Sequence, residues 1–206
     1  MKPAGVILAG GQSSRMGGGD KALLSLGDKP LLAHVIDRLR PQVSELVLNA
    51  NGDPARFAEF GLPVVADSID GFVGPLAGVL AGMDWAHGQG VEYIVTAAAD
   101  TPFFPENLVM ALQMAREGAQ SPLVMAVTPD PERGLARHPT FGLWRVDLRD
   151  NLRAALQDGV RKVVQWTKPL GCAEMVFNLE EGDPFFNINT PADMKKAADM
   201  LREGAL

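Results

Sequence analysis

The chain has 206 residues, of which 47% are hydrophobic and 21% charged, and its formal net charge at pH 7 is -6. This composition is typical of a globular chain and excludes intrinsic disorder, and the length predicts a single domain over residues 1–206. The negative charge excludes broad electrostatic binding to nucleic acid or to an anionic membrane, so an anion would need a local cationic pocket.

Short apolar runs predict strands in the first part of the chain, at residues 6–9, 45–50, 62–67, 93–100 and 123–127. Helices are predicted between these runs, because apolar residues recur at every third or fourth position and a proline lies near each start. The predicted helices cover residues 30–40, 75–88 and 105–118. Apolar strands that alternate with helices indicate a mostly parallel sheet covered on both faces. The predicted fold class is therefore a three-layer α/β domain.

The pattern changes after residue 128. Residues 128–139 are rich in proline, glycine and charge, and we expect a loop there. Strands are then predicted at residues 140–144 and 185–189, and a helix at residues 146–159. The sheet should therefore gain mixed strands in this part of the chain.

A last helix is predicted over residues 190–204. Thr190 is the expected N-cap, Pro191 suits the first helical position, and Asp193 stands where the acidic residue of a capping box would lie. No internal repeat and no linker are visible in the sequence.

Residue types and patterns that the sequence lacks also limit the chemistry. Cys172 is the only cysteine, so no internal disulfide can form, and we expect a structural thiol. No H-E-x-x-H, C-x-x-C or G-x-S-x-G pattern occurs, so neither a zinc site nor a serine nucleophile is predicted. The first apolar run is too short for a signal peptide or a membrane span, and we expect a cytoplasmic protein.

The stretch LAGGQSSRMGGGDK, residues 8–21, directly follows the first predicted strand. In an open parallel sheet the first turn from strand to helix is the usual phosphate site. Small residues let backbone N–H groups approach an anion, and Arg15 and Lys21 add positive charge, so a polyphosphate site is predicted. The stretch fits neither the P-loop pattern nor the dinucleotide fingerprint. A flexible turn with solvated basic side chains remains the alternative.

Polar residues at the ends of other predicted segments are further candidates. Asp100 ends a predicted strand, where one carboxylate together with phosphate oxygens and water is enough to bind Mg²⁺; capping of the next helix is the alternative. Asn49 ends another strand, where asparagine is also common simply as a turn former. Asn187 and Asn189 would face the same way on a strand and could contact a second substrate, although Asn189 also suits a helix entry.

The opening stretch resembles that of nucleotidyltransferases with a Rossmann-like fold. Its part from Arg15 to Lys21 is most similar to the molybdenum cofactor guanylyltransferase family. Further stretches similar to that family follow in order along nearly the whole chain, at residues 28–32, 47–51, 67–78, 99–103, 137–140 and 186–191.

The resemblance implies a role for particular residues. The implied catalytic residues are Arg15, Lys21 and Asp100, with Asp100 as the Mg²⁺ ligand. The implied GTP contacts are Leu8, Ala9, Gly10, Gly11, Lys21, Asn49, Asp67, Pro75, Leu76, Gly78 and Asp100. The side that receives molybdopterin would include Arg137, His138, Arg161, Asn187 and Asn189.

The implied reaction transfers GMP from GTP to the terminal phosphate of molybdenum-bearing molybdopterin and releases pyrophosphate. The attacking phosphate has a second pKa of about 6, so it needs no protein base, and the protein supplies positive charge and positioning. We expect residues 1–128 to bind the nucleotide and residues 129–206 the second substrate, with transient contacts to cofactor-delivery proteins and apo molybdenum enzymes. A related transferase that uses CTP or a sugar phosphate, and a non-catalytic carrier of GTP or cofactor, remain alternatives.

Overall fold

The structure is a computed structural model that describes residues 2–10, 20–69, 71, 74–180 and 182–204. The strands within these residues are β1 (Ala4–Leu8), β2 (Ser25–Leu26), β3 (Lys29–Pro30), β4 (Leu46–Asn49), β5 (Val64–Val65), β6 (Tyr93–Ala98), β7 (Leu123–Asp130), β8 (Gly134–Arg145) and β9 (Cys172–Val176). The α-helices are α1 (Leu31–Leu39), α2 (Pro75–Gly88), α3 (Leu108–Ala119), α4 (Arg149–Gln157), α5 (Val163–Thr167) and α6 (Pro191–Arg202).

Seven of these strands form one sheet in the order β5-β4-β1-β6-β8-β7-β9, and β2 and β3 form a small separate hairpin. Neighbouring strands of the large sheet run parallel, except that β8 is antiparallel to both β6 and β7. After β1 the chain adds β4 and β5 on one side and then returns to place β6 on the other side of β1. The gap between the carboxyl ends of β1 and β6 is therefore a topological switch point, where α/β sheets bind their ligands.

Helices cover both faces of the sheet. Ile7 and Leu48 pack in one cluster with α1 and α3, whereas Val6, Val47 and Ile94 pack in another with α2, α4 and α5. Successive strand residues thus enter opposite cores, which is why the strands are apolar throughout. The predicted three-layer α/β class with a mostly parallel sheet is confirmed. No helix of the described residues is long and apolar enough to cross a membrane.

The prediction of a loop at residues 128–139 is wrong. β7 and β8 continue through this stretch as a hairpin, with Asp130 paired to Gly134 at its tip. Asp130 Oδ1 accepts the backbone N–H groups of Glu132 and Arg133, and Gly134 has φ +75, as the tight turn requires. The outer part of the hairpin lies largely in solvent, so it carries proline and charged residues that read as a loop.

The prediction of a strand at residues 185–189 is also wrong, because this segment has no strand pairing. Its apolar side chains are buried by packing instead: Phe185 contacts the rings of Phe141 and Phe177, and Ile188 packs beside α6. Conversely, the edge strand β9 and the short helix α5 were not predicted. β9 begins at Cys172, where burial raises the pKa of the thiol to about 11, so it stays protonated at neutral pH, as a structural thiol would.

Candidate active site at the carboxyl edge of the sheet

Three oxygen atoms from distant parts of the chain meet at the ammonium group of Lys21. Lys21 Nζ donates to Asp100 Oδ2 and Asn189 Oδ1, both at 2.6 Å, and to Asn187 Oδ1 at 3.3 Å. Only 13% of the lysine side chain is exposed, and 24% of the aspartate. Because an ammonium group has three N–H donors, these contacts use all of them.

The Lys21 cluster (Lys21, Asp100, Asn187 and Asn189) is assembled from three separate parts of the chain. Lys21 opens a short 3-10 turn, and Asp100 lies two residues beyond β6. The carbonyl of Asp100 accepts the N–H of Ile188 at 3.0 Å, which holds the two asparagines beside it. A short turn, the end of β6 and one irregular segment therefore bring the cluster together at the switch point.

The start of α6 orients Asn189. The predicted capping box is present, with Asp193 N–H donating to Thr190 Oγ1 and Asp193 Oδ2 accepting from the backbone of Thr190. The same carboxylate oxygen accepts the N–H of Asn189 at 3.0 Å. The hydrogen bonds from Asn189 and Thr190 lower the pKa of Asp193 from its ordinary 3.8, so the cap remains charged and intact at neutral pH.

A second cluster surrounds Asp67, which follows β5. Asn49 Nδ2, at the buried end of β4, donates to Asp67 Oδ1 at 3.0 Å and to the Val65 carbonyl at 3.2 Å. Asn51 donates to Asp67 Oδ2 at 2.8 Å and accepts the Asp67 N–H at 2.9 Å. Two amides therefore fix this carboxylate beside the edge of the sheet.

The first turn of α2 approaches the same edge closely. A Cβ atom at Gly78 would lie 2.2 Å from Asn49 Oδ1 and 2.8 Å from Leu8 Cδ2, so only glycine permits this approach. Beyond β1, Ala9 N–H donates to the Asn49 carbonyl, and no described residue other than its chain neighbours comes within 4 Å of the position that a Cβ would take at Gly10. Four of the residues expected to contact GTP therefore meet at this edge: Leu8, Asn49, Asp67 and Gly78.

Five residues had been expected on the molybdopterin side, and the structure separates them. Asn187 and Asn189 contact Lys21, whereas Arg137 pairs with Glu174 at 2.7 Å on β9. Arg161 donates to backbone carbonyls at the end of α4, and its own carbonyl lies 3.8 Å from the position that a Cβ would take at Gly74, just before α2. Two other expected residues, Gly11 and Arg15, lie outside the described residues.

His138 is packed rather than free. Its ring stacks on Phe185 with the ring centroids 4.3 Å apart, and its Nε2 hydrogen-bonds Thr128 Oγ1 at 2.9 Å. Burial lowers the pKa of His138 from its ordinary 6.5, against a smaller raising effect of Asp183, so the ring is neutral at pH 7. Arg137 and His138 are neighbours on β8, so their side chains leave opposite faces of the sheet.

Sequence reasoning missed Arg56, which contacts Asp20, the neighbour of Lys21, and Asn51 of the Asp67 cluster. Its Nε lies 2.7 Å from Asp20 Oδ2, and its Nη2 donates to the carbonyl of Asn51. The only sequence signal was a basic residue shortly after a strand-end asparagine, which has no specific spacing.

The Lys21 cluster meets part of what a divalent metal requires. Among the described residues, no group of three or more His, Cys, Asp or Glu side chains could hold a metal ion by itself. Mg²⁺ however needs only one or two carboxylates, together with phosphate oxygens and water. Three oxygens already surround a positive charge here, so the chemistry of the donor set fits a metal held jointly by Asp100 and a bound phosphate.

The fold and the polar edge at its switch point define the class of protein, a Rossmann-like α/β domain with a candidate ligand site where its parallel strands end. Two solved structures share this fold. One is molybdopterin-guanine dinucleotide biosynthesis protein A from Archaeoglobus fulgidus, with a TM-score of 0.71 at 23% identity over 97% of this chain and 99% of that chain. The other is a CMP:2-keto-3-deoxy-manno-octonic acid synthetase in complex with CTP, with a TM-score of 0.75 at 15% identity over 98% of this chain and 99% of that chain.

The sequence places the chain within this class. The family model of the MobA-like NTP transferase domain matches residues 5–170, and the chain belongs to that family. Relatives named molybdenum cofactor guanylyltransferase include one from Nitrobacter hamburgensis, 48% identical over 94% of this chain and 91% of the relative. Another, from Cereibacter sphaeroides, is 46% identical over the whole of both chains. The family expected from the motifs is confirmed.

Proposed function

We propose that this protein transfers GMP from GTP to the terminal phosphate of molybdenum-bearing molybdopterin and releases pyrophosphate. The observation that carries the proposal is the Lys21–Asp100 pair at the switch point of a chain whose relatives over nearly its full length are named for this activity. The CTP-bound structure shares only 15% of the sequence, so it supports the fold and not a different nucleotide.

Lys21 binds the phosphates of GTP in this proposal. Its three N–H donors are occupied by the oxygens of Asp100, Asn187 and Asn189, so at least one contact must be exchanged for a phosphate oxygen. Such an exchange costs little, since a charge-assisted hydrogen bond replaces another. Arg15, outside the described residues, is proposed to add a second positive charge from the glycine-rich stretch.

Asp100 is the proposed metal ligand, with Mg²⁺ as the metal. Its Oδ1 accepts a hydrogen bond from Thr101 Oγ1 at 3.2 Å, and a carboxylate oxygen with two lone pairs can still bind a cation. When bound, Mg²⁺ would stabilise the negative charge on the reacting phosphates. The protein holds Asp100 in place through the Ile188 N–H and the end of β6.

The nucleoside part of GTP is proposed to lie between the two clusters. Asn49 and Asp67 offer polar atoms at the ends of β4 and β5, and Leu8, Ala9 and Gly10 offer backbone at the end of β1. The first turn of α2 is proposed to border the guanine base, at Pro75, Leu76 and Gly78. Hydrogen bonds to a base edge discriminate between bases far better than apolar contacts do.

The second substrate is proposed to reach the site from the side of Asn187 and Asn189, within residues 129–206. Once Lys21 turns to GTP, both amides can contact the phosphate of molybdopterin, which is largely ionised at neutral pH and needs no protein base. Arg137 and Arg161 would have to leave their present partners to take part. Transient contacts with proteins that deliver molybdopterin or receive the product belong to the same proposal.

The test is pyrophosphate release from each of the four nucleoside triphosphates, with and without molybdopterin. We expect release from GTP that depends on molybdopterin, and a larger thermal stabilisation by GTP than by ATP or CTP. Lys21→Ala should lower turnover on the order of tenfold to a thousandfold. The matched control is Lys29→Ala. Lys29, on the small hairpin, forms an ion pair of the same length, 2.6 Å, with Asp37 of α1. GTP binding without pyrophosphate release would instead identify a carrier.

A further inference from the structure

We infer that Arg56 is a positioning residue for the nucleotide site, an inference that rests on the function proposed above. Arg56 lies in the 3-10 turn Pro54–Phe60, which follows β4. Its Nε is 2.7 Å from Asp20 Oδ2, and its Nη2 donates to the Asn51 carbonyl. The residue that precedes Lys21 is thereby tied to a residue that holds Asp67.

The local structure is shaped to receive this guanidinium group. Gly52 has φ +87, a conformation that favours glycine, and a Cβ there would lie 3.0 Å from Arg56 Nη1, so the guanidinium group packs closely against this turn. Arg56 Cζ lies 4.8 Å from the centroid of the Phe57 ring, which is itself buried in the core. The arginine and Asp20 side chains are 32% and 23% exposed, so the ion pair is partly shielded from water.

The ion pair of Arg56 and Asp20 lies next to Lys21, the residue proposed to bind the phosphates of the nucleotide. The Asp20 carbonyl accepts the Leu23 N–H at 3.0 Å and so opens the turn that carries Lys21. With Asp20 held by Arg56, in the turn that follows β4, the backbone from which the lysine side chain extends is already ordered before GTP arrives. A preordered group loses less conformational freedom on binding, so the ion pair should favour nucleotide binding more than the chemical step.

The test is Arg56→Met, which keeps an unbranched apolar side chain near Phe57 but removes the charge and the donors. We expect the Kd and the KM for GTP to rise on the order of tenfold, with kcat changed less than about threefold. The matched control is Arg116→Met. Arg116 also lies 4.8 Å from an aromatic centroid, that of Tyr93, and pairs with Glu117. It lies beside the start of β6, at the opposite end of the strands from the candidate site. This control should leave the Kd for GTP unchanged.

Two further variants separate positioning from general stability. Arg56→Lys keeps the charge without the planar fork and should recover part of the GTP affinity. Asp20→Asn should raise the Kd as well, and the double variant should be little worse than either single one, since both remove one interaction. An unchanged Kd in Arg56→Met, a loss in kcat alone, or fully multiplicative effects in the double variant would overturn the inference. A wild-type protein that binds GTP but transfers no GMP would overturn the proposed function alone, because the Kd measurement remains valid.

Discussion

The proposed chemistry depends most on two residues, Lys21 and Asp100. Their ion pair measures 2.6 Å and is largely shielded, and the two residues are 79 positions apart in the sequence. The sequence predicted that both would lie at the edge of the sheet, but the bonds of Lys21 to the two asparagines are visible only in the structure. The pair therefore joins the nucleotide side of the site to the segment proposed to meet the second substrate.

Asp100→Asn tests the proposed role of this carboxylate directly. The amide keeps the shape of the carboxylate but loses the charge that would hold Mg²⁺, so turnover should fall by about a hundredfold or more. GTP should still bind through Lys21, whereas the response of pyrophosphate release to added magnesium should flatten. Asp37→Asn, which breaks the exposed Lys29 ion pair, is the control. A wild-type magnesium dependence in Asp100→Asn would move the metal elsewhere, with Asp67 as the next candidate.

At the scale of elements, the approach of α2 to β1 and β4 shapes the nucleotide side. Gly78→Ala would force a methyl group against Asn49 Oδ1 and Leu8 Cδ2, so the helix, the strand ends or both must shift. We expect a loss of about 1–3 kcal/mol in the free energy of unfolding, measured in urea, together with weaker GTP binding.

Gly88→Ala, on the same helix, is the matched control for Gly78→Ala. Within the described residues, no atom outside the neighbouring residues and the helix backbone lies within 4 Å of a Cβ built at Gly88, so this variant should be neutral or more stable by up to about 1 kcal/mol. If both variants unfolded at the same urea concentration as the wild type, the close approach of α2 would not limit stability and its proposed role beside the base would lose support.

At the scale of the whole molecule, His138 should make stability depend on pH. Burial lowers the pKa of His138 in the folded protein, so the unfolded chain binds a proton more readily. Stability should therefore fall as the pH drops below the ordinary value of 6.5 toward the lower folded value. His138→Gln should remove this part of the decline, whereas His87→Gln, on the exposed end of α2, should not. Equal pH profiles of unfolding for the wild type and His138→Gln would contradict the prediction.

The sequence by itself determined the elements whose signals are local. β1, β4 and β6 are buried on both faces, so their apolar runs were recognisable. The glycine-rich stretch after β1, Asn49 at the end of β4 and Asp100 beyond β6 predicted the edge where the site lies. The capping box of Thr190 and Asp193 was likewise readable, because its partners are three residues apart. Motifs in the same order as those of a known family were enough to identify the family.

Only the tertiary structure decided the elements and contacts that depend on distant partners. The hairpin of β7 and β8 reads as a loop because its outer part meets water, and residues 185–189 read as a strand because packing, not strand pairing, buries them. The bond from Lys21 to Asn189 spans 168 positions, and Arg56 reaches Asp20 from another element. Residue periodicity records which face is buried, but it carries no information on which distant side chain will lie opposite, because that is set by how the elements pack.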